Sequence, residues 1–217
     1  EQKDADRQEN TDRKESAEEP EDADRKESAG QQAQLQQAAP AAAPAASTPG
    51  NGFCKNIITV INKCADKVLN LTLKDVKIDV SDTGKDTGNP WNSDEGKAAL
   101  SVQGKGNVEI ELDGNNELKS GTHRAGLEKN TSTSTGTLTL KDDNKEAGSL
   151  KATGGENGAG IGGGNRGSGK NITIKGGTVN ATGGLDGAGI GGGGGCWGSG
   201  EDITIKGGTV TAAGGRF

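Results

Sequence analysis

A glycine- and lysine-containing segment is the part of this sequence that most resembles a catalytic motif. Residues 164–170 read GNRGSGK, which has the glycine and lysine spacing of a phosphate-binding P-loop. A P-loop also needs Ser or Thr directly after the lysine, followed by a helix. Here Asn171 follows the lysine, and the next segment has a strand pattern. In the second repeat, Glu201 occupies the position of Lys170. We therefore exclude a nucleotide site.

Histidine and cysteine are too sparse for a catalytic or metal constellation. The single histidine, His123, lies in a segment reading SGTHR, and we expect it to be a solvated turn residue. Cys54 and Cys64 could pair in an oxidising compartment or remain buried free thiols, and the sequence does not decide between these alternatives. Cys196 has no obvious partner. The sequence thus predicts no catalytic residue, no metal site and no cofactor.

Acidic residues come nearest to forming a cluster between residues 75 and 82. Asp75, Asp79 and Asp82, with Lys77 between them, could cut a polysaccharide if their side chains met in one groove. The alternative, which we favour, places them at strand ends and turns. The sequence therefore predicts a non-enzymatic chain, with a polysaccharide-active enzyme as the rival hypothesis.

The two tryptophans are the remaining candidates for binding. Trp91 and Trp197 both fall in segments predicted to be loops, where an exposed ring could stack on the face of a sugar. Structural packing is the alternative interpretation of both indoles. Carbohydrate contact at these two residues is the binding hypothesis of the sequence.

The composition is not that of an ordinary globular core. Only 28% of the residues are hydrophobic and 2% are aromatic, whereas 39 are glycines. Residues 1–29 carry twelve acidic and six basic side chains, so the remaining chain, with nineteen of each, is neutral. This neutrality argues against nucleic-acid binding, and the absence of a long apolar run argues against membrane insertion.

The composition divides the chain into two parts. Residues 1–50 are first charged, with DRKESA repeated at 12–17 and 24–29, and then rich in Ala, Pro and Gln. We expect a disordered tail and spacer there. Residues 51–217 alternate apolar and polar residues between turn signals, which predicts strands. A polar stretch at 81–97 is expected to form a loop bulging from them.

Several strands are predicted individually in the first half of this region. They are expected at 57–61, at 68–80 with a break near residues 74–75, at 98–102 and at 108–112. The DGNN at 113–116 that follows is a turn signal.

The C-terminal third contains an internal repeat. GAGIGGG at 158–164 returns at 187–193, and NITIKGGTV at 171–179 returns as DITIKGGTV at 202–210. A weaker version at 138–155 suggests that the repeat begins earlier. A unit of about thirty residues with three short strand-like segments has the length of one turn of a parallel β-helix. The glycine pairs at 176–177 and 207–208 are expected at tight corners that require positive φ.

Stacking of these coils would bury apolar residues that one coil cannot bury alone. Strand side chains alternate, so Thr173 and Thr204 should point outward while their neighbours point inward. The predicted inward pairs are Ile161 with Ile190, Ile172 with Ile203, Ile174 with Ile205, and Val179 with Val210. The sequence thus predicts an all-β parallel β-helix, or β-solenoid, preceded by the disordered tail. Because no capping element follows the last repeat, we expect a piece of a longer parent protein.

Residues 68–215 resemble the glycine-rich repeat region of cell-surface proteins from Gram-positive, often gut, bacteria. The resemblance lies in GAGIGGG, in ITIKGGTVNATGG and in the upstream NVEIELDGNNELKSG at 107–121. Such proteins are usually labelled adhesin-like or carbohydrate-binding. The resemblance implies an extracellular, secreted or cell-surface stalk or adhesin that contacts glycans or host or cell-wall polymers.

Overall fold

A computed structural model of the chain describes residues 52–85, 95–144 and 146–216. The predicted tail and spacer at 1–50 lie outside these ranges. Trp91 and the centre of the loop predicted at 81–97 lie outside them as well. Within the described ranges the secondary structure consists of strands, turns and bends, without a helix.

The strands follow one another in five successive coils. Coil 1 contains β1 (Ile58–Asn62), β2 (Val68–Lys74) and β3 (Lys77–Asp79); coil 2 contains β4 (Leu100–Gly104) and β5 (Asn107–Lys119); coil 3 contains β6 (Leu127–Glu128), β7 (Leu138–Lys141) and β8 (Gly148–Thr153); coil 4 contains β9 (Ile161–Gly162), β10 (Gly169–Ile174) and β11 (Thr178–Thr182); coil 5 contains β12 (Ile190–Gly191), β13 (Gly200–Ile205) and β14 (Thr209–Ala213). The strands predicted at 57–61, 68–80 and 98–102 lie within two residues of β1, of β2 with β3, and of β4, whereas β5 begins one residue before the predicted 108–112 and continues beyond it to Lys119.

Equivalent strands of successive coils pair in parallel and form three sheets. Sheet 1 has the order β1-β4-β6-β9-β12. Sheet 2 contains β2, the first half of β5, β7, β10 and β13, in that order. Sheet 3 contains β3, the second half of β5, β8, β11 and β14. This is the predicted parallel β-helix, and the predicted fold class is therefore confirmed.

The turn predicted at 113–116 is a corner inside one continuous strand. Gly114 has a φ of 60°, which lets β5 change direction from sheet 2 to sheet 3. Pairing continues on both sides of it, because Asp113 lies opposite Lys74 and Asn115 lies opposite Ser149. The prediction that a strand ends at residue 112 was therefore wrong: the glycine bends the strand without interrupting its ladder.

A buried asparagine fastens this corner to the coils on either side. The Asn116 side chain is 2% exposed. Its Nδ2 lies 3.2 Å from the Leu73 carbonyl oxygen and 3.1 Å from that of Ser149, and its Oδ1 accepts a hydrogen bond from Val76 N at 2.9 Å. One amide therefore satisfies backbone groups of the coils on both sides at a position where a buried polar group would otherwise be costly.

The core consists of columns of similar side chains, one from each coil. The structure places all four predicted pairs opposite each other: Ile161 with Ile190, Ile172 with Ile203, Ile174 with Ile205, and Val179 with Val210. The column continues upstream, since Leu138 lies opposite both Ile172 and Val108. The coil 4 members of these pairs are fully buried, whereas Ile205 in coil 5 is 54% exposed.

Glycine in the repeats is required by the close approach of neighbouring coils. A Cβ added at Gly158 would lie 2.0 Å from the carbonyl oxygen of Arg124 in the preceding coil. At the predicted corners the second glycine of each pair has positive φ, 81° at Gly177 and 85° at Gly208. Asn171 and Asp202, which occupy equivalent positions in coils 4 and 5, also have positive φ, a conformation that Asn and Asp tolerate better than most residues. The repeat thus preserves backbone geometry as well as apolar residues.

Replacing a column residue should destabilise the fold according to its place in the column. We expect Ile174→Ala to lower the free energy of unfolding by roughly 2–5 kcal/mol, since Ile174 is fully buried. Ile205→Ala removes the same atoms from the opposite position in coil 5 and should cost clearly less, because Ile205 is half exposed. Urea unfolding followed by circular dichroism measures both variants. If both variants lost the same free energy of unfolding, the stacking of these side chains in a column would be contradicted.

A second pair of variants tests the close approach of the coils. Gly158→Ala should destabilise the protein by at least about 1–3 kcal/mol, because the new methyl group meets a backbone carbonyl that cannot move aside. Gly214→Ala is the control, since its Cβ would meet nothing nearer than 3.6 Å. Thermal unfolding of the two variants should separate them. A Gly158→Ala protein as stable as Gly214→Ala would show that the coils do not pack this closely.

Candidate functional site

Five loops that connect sheet 1 to sheet 2 lie side by side along the stack. They comprise residues 63–67, 105–106, 129–137, 163–168 and 192–199, one loop from each coil. We call this surface the loop ridge. Its loops differ in length, whereas the strands on either side keep their register. The coil 2 loop is the shortest, and longer loops of coils 1 and 3 flank it.

A groove crosses the loop ridge above the short loop of coil 2. It has a volume of about 490 Å³, within the range of sites that bind small molecules. The lining residues are Lys63 from coil 1, Gly104 and Lys105 from coil 2, and Ser132, Thr133, Ser134 and Thr135 from coil 3. The groove therefore has a basic side and a wall of hydroxyl groups.

Backbone hydrogen bonds hold the hydroxyl wall against the floor. Gly104 N donates to Thr133 O at 2.9 Å, and Thr135 N donates to Gly104 O at 3.0 Å. Asn130 organises the loop from within: its Oδ1 accepts from Ser132 N at 3.1 Å and from the Ser132 hydroxyl at 3.0 Å. The wall is thus ordered before any ligand binds.

Lys129 is a buried cation at the base of this wall. Leu127 pairs with Leu100, so Lys129 occupies the next inward position, where coil 2 has Val102. The Lys129 side chain is 0% exposed, and its Nζ donates a long hydrogen bond of 3.5 Å to Ser134 O. Burial lowers the pKa of Lys129 to about 8. The ammonium group therefore stays protonated at neutral pH in a site that supplies little compensation.

The lysines of the groove differ from several lysines on the sheets in having no acidic partner among the described residues. Within the described ranges Lys63 and Lys105 are both exposed, and neither forms a salt bridge. On the outer faces of the sheets, by comparison, Lys141 lies 3.3 Å from Glu109 and Lys151 lies 3.1 Å from Glu117. The positive charge of the groove is therefore not neutralised by neighbouring carboxylates.

Trp197 lies at the other end of the loop ridge, in the coil 5 loop. Its side chain is 77% exposed. The loop beneath is fixed through two serines of successive coils, whose hydroxyl oxygens are 2.9 Å apart, Ser168 in coil 4 and Ser199 in coil 5. The Ser168 hydroxyl also donates to Trp197 O at 3.4 Å. The indole therefore projects from an anchored backbone. Trp91, the other predicted contact, lies outside the described residues.

The cysteines are neither paired nor buried. Cys54, Cys64 and Cys196 are all free and exposed. Of the two alternatives for Cys54 and Cys64, the structure shows free thiols, but the expectation that these would be buried was wrong. Both residues lie in coil 1 or just before it, where no earlier coil is described that would cover them.

The three aspartates of the predicted acidic cluster each have a separate partner. Asp75 Oδ1 accepts from Asn115 N at 2.9 Å and so belongs to the corner at Gly114. Asp79 accepts from the Ser81 hydroxyl at 2.6 Å and lies 3.3 Å from Lys119 Nζ, and Asp82 pairs with Lys55. The groove described above contains none of these carboxylates. The structure thus places them at strand ends and turns and gives them structural hydrogen bonds.

His123 is buried, so the expectation of a solvated turn residue was wrong. Its φ of 67° does fit a corner, but its side chain is 5% exposed. His123 Nδ1 lies 3.3 Å from Glu156 O and 3.3 Å from Asn157 Nδ2, both in the next coil. Among the described residues Nε2 has no hydrogen-bond partner. A corner that looks exposed in one coil is covered once the next coil stacks on it.

The segment with P-loop spacing forms part of the β-helix. Strand β10 begins inside it at Gly169, and Lys170 Nζ lies 2.5 Å from Glu201 in the next coil. No group of three or more His, Cys, Asp or Glu residues that could hold a metal ion occurs in the described ranges. The described part of the chain also lacks a helix long and apolar enough to cross a membrane.

The groove was missed by the sequence analysis, although one signal for it exists. AALSV at 98–102 aligns with AGLEK at 125–129 once Leu100 is paired with Leu127. This alignment shows that Lys129 occupies an inward-facing position. The hydroxyl-rich sequence NTSTST follows it directly, at residues 130–135. Lys63 and Lys105 line the same groove because the loops of neighbouring coils differ in length. To predict this from the sequence, one must know how three coils pair with one another.

Comparison with known proteins identifies a β-helix repeat region. The model of a family described as a β-helix repeat matches residues 146–165, 172–194 and 203–215, which extend from the end of coil 3 through coil 5. No curated protein and no solved structure matches the chain. The family match thus agrees with the coil pairing and concerns the repeat itself.

Removing the buried charge should change how stability depends on pH. The pKa of Lys129 is about 8 in the folded chain and about 10.5 when unfolded, so its cost is fully present below about pH 8 and fades as the pH rises towards 10.5. We expect Lys129→Met to be more stable than the natural chain by on the order of 1–3 kcal/mol at neutral pH.

Urea unfolding of both proteins between about pH 7 and about pH 10 measures this difference, which should shrink steadily at the alkaline end. The remaining ionisable groups are common to the two proteins and cancel in the comparison. A difference that stays constant over this range would contradict a buried ammonium at Lys129.

Proposed function

We propose that this chain is a non-catalytic structural segment of an extracellular surface protein, a stalk or adhesin, and that its loop ridge contacts carbohydrate. The β-helix repeat supports the structural half of this proposal. Each coil adds about 4.8 Å along the stack and is held to the next by backbone hydrogen bonds along three sheets. Such a stack provides a rigid spacer that presents loops at fixed intervals.

Exposure of Trp197 is the observation that carries the binding half. An indole that is 77% exposed contributes little to the folded core. Its loop is nevertheless anchored by the Ser168 and Ser199 hydroxyls, so the backbone that carries the ring has a defined position. A flat aromatic face next to hydroxyl groups suits the apolar face and hydroxyl edge of a sugar ring.

The outer face of sheet 3 offers a second, flatter surface for polymer contact. Thr178 lies opposite Ser149 and Thr209, and Asn180 lies opposite Lys151 and Thr211. Equivalent polar groups are therefore repeated at the spacing between strands. We propose that glycans or host or cell-wall polymers lie against the loop ridge and against this face.

The surface location is proposed on the resemblance to adhesin-like cell-surface proteins of Gram-positive bacteria. The rival proposal, a lyase or hydrolase acting on polysaccharide, requires carboxylates that converge on a groove. Asp75 and Asp79 instead bind Asn115 and Lys119, respectively. We therefore favour binding without cleavage. Release of new sugar ends from any bound polysaccharide would reverse this preference.

Substitution of the exposed indole tests the proposal. We expect the natural chain to bind a subset of a glycan array and Trp197→Ala to bind the same glycans at least about fivefold more weakly, as expected when an aromatic anchor is lost from an interface. Leu185→Ala is the matched control, because Leu185 is also an exposed apolar residue but lies on a different edge of the coil. Calorimetry with the best glycan gives the affinities.

Two results would count against carbohydrate contact at the loop ridge. One is background signal for the natural chain on the whole array. The other is an equal loss of affinity in Trp197→Ala and Leu185→Ala, which would point to a general effect on the fold.

A further inference from the structure

The groove of the loop ridge concentrates positive charge that has no internal partner. Lys63 and Lys105 line it from two coils, and no carboxylate lines it. Several lysines elsewhere on the described surface lie close to acids, for example Lys74 at 2.6 Å from Glu146 and Lys119 at 3.3 Å from Asp79. The groove therefore favours an anionic group over a neutral one.

Lys129 adds a third positive charge from below the hydroxyl wall. Its ammonium group carries three N–H donors and donates a long hydrogen bond of 3.5 Å to Ser134 O, and Ser134 itself lines the groove. A charge buried without an anion is unfavourable for the fold. An anion bound in the groove would offset that cost by attracting the ammonium group. The attraction would act through protein, which screens charges less than water does.

The hydroxyl wall has acceptor oxygens that remain free to bind. The Ser132 hydroxyl donates to Asn130 Oδ1 at 3.0 Å and the Thr133 hydroxyl donates to Asn130 O at 3.2 Å. Each oxygen keeps lone pairs that can accept from a ligand hydroxyl. A ligand that fits both sides must combine an anionic group with several hydroxyl donors, which is the chemistry of an acidic sugar.

We propose that this groove binds a uronic-acid unit of an acidic saccharide, with Lys63 and Lys105 holding its carboxylate and residues 132–135 its ring hydroxyls. This proposal rests on the proposed function, since it names the class of carbohydrate that the loop ridge takes. Lys105 in coil 2 and Trp197 in coil 5 are three coils apart, about 14 Å at the spacing of parallel strands. A short oligosaccharide along the ridge spans this distance.

The test compares two trisaccharides that differ only in the carboxylate. The β-1,4-linked glucuronic acid trimer and the neutral cellotriose are titrated into the natural chain by calorimetry, and amide shifts are followed by NMR. We expect the acidic trimer to bind at least about tenfold more tightly, with shifts at Gly104, Lys105 and residues 132–135. Its affinity should fall with added salt, because the lysines are exposed.

Substitutions assign the preference to the groove. The double variant Lys63→Gln/Lys105→Gln should bind the acidic trimer no better than cellotriose. Lys206→Gln, which neutralises an exposed lysine after β13, should behave like the natural chain. Lys129→Met should lower the affinity for the acidic trimer by about threefold through the loss of one nearby charge, even though this variant is the more stable protein.

The possible failures separate the two proposals. If both trimers bind equally well and depend on Trp197, the acidic groove is wrong and the proposed function stands. If neither trimer nor any arrayed glycan binds, both proposals are wrong. Inorganic sulfate that binds the natural chain as tightly as the acidic trimer, with the same amide shifts, would show a simple anion site and overturn the assignment to a saccharide.

Discussion

Backbone hydrogen bonds between successive coils are the interaction on which the rest of this structure depends. In sheet 1 alone, Leu127 N donates to Gly160 O at 3.0 Å, and Ile161 N donates to Gly189 O at 2.9 Å. These bonds repeat without help from bulky side chains, so a chain with few apolar residues can still satisfy its buried peptide groups. The same closeness explains the glycines, because a methyl group at Gly158 would collide with the coil below. Stacking therefore determines composition, fold and register together.

Stacking restricts the strands but leaves the loops free to vary, and function follows from this difference. Coils 2 and 3 pair in parallel on both sides of the loop ridge, Leu100 with Leu127 and Val108 with Leu138, whereas the connecting loops are residues 105–106 in one coil and 129–137 in the next. This inequality creates the groove, and a separate enlargement in coil 5 projects Trp197. Binding groups on such loops are held at intervals set by the strands. A rigid, repetitive scaffold can thus carry a site that is not itself repeated.

The repeat made the fold predictable, because NITIKGGTV and DITIKGGTV state the register of Ile172 and Ile203 directly. Prediction failed where a residue's environment comes from another coil. The turn signal at Gly114 bends a strand that its neighbours keep paired, and His123 is covered by Asn157 of the following coil. The site was harder still, since Lys63, Lys105 and residues 132–135 meet only through three coils in register. The loop at Trp197 could be predicted because the glycines around it are a local signal, and the exposure of its side chain agrees with that prediction.

In-register stacking can be tested most directly by measuring whether Ile172 lies beside Ile203 in solution. Isotope-labelled protein would be examined for nuclear Overhauser effects between the backbone amides and side chains of these two residues, which adjacent parallel strands bring to about 4.8 Å. The structure predicts strong contacts between Ile172 and Ile203, and also between Ile172 and Leu138 on its other side. Absence of both contacts, together with rapid hydrogen exchange at Ile172, would contradict the stacked coils and every inference drawn from them.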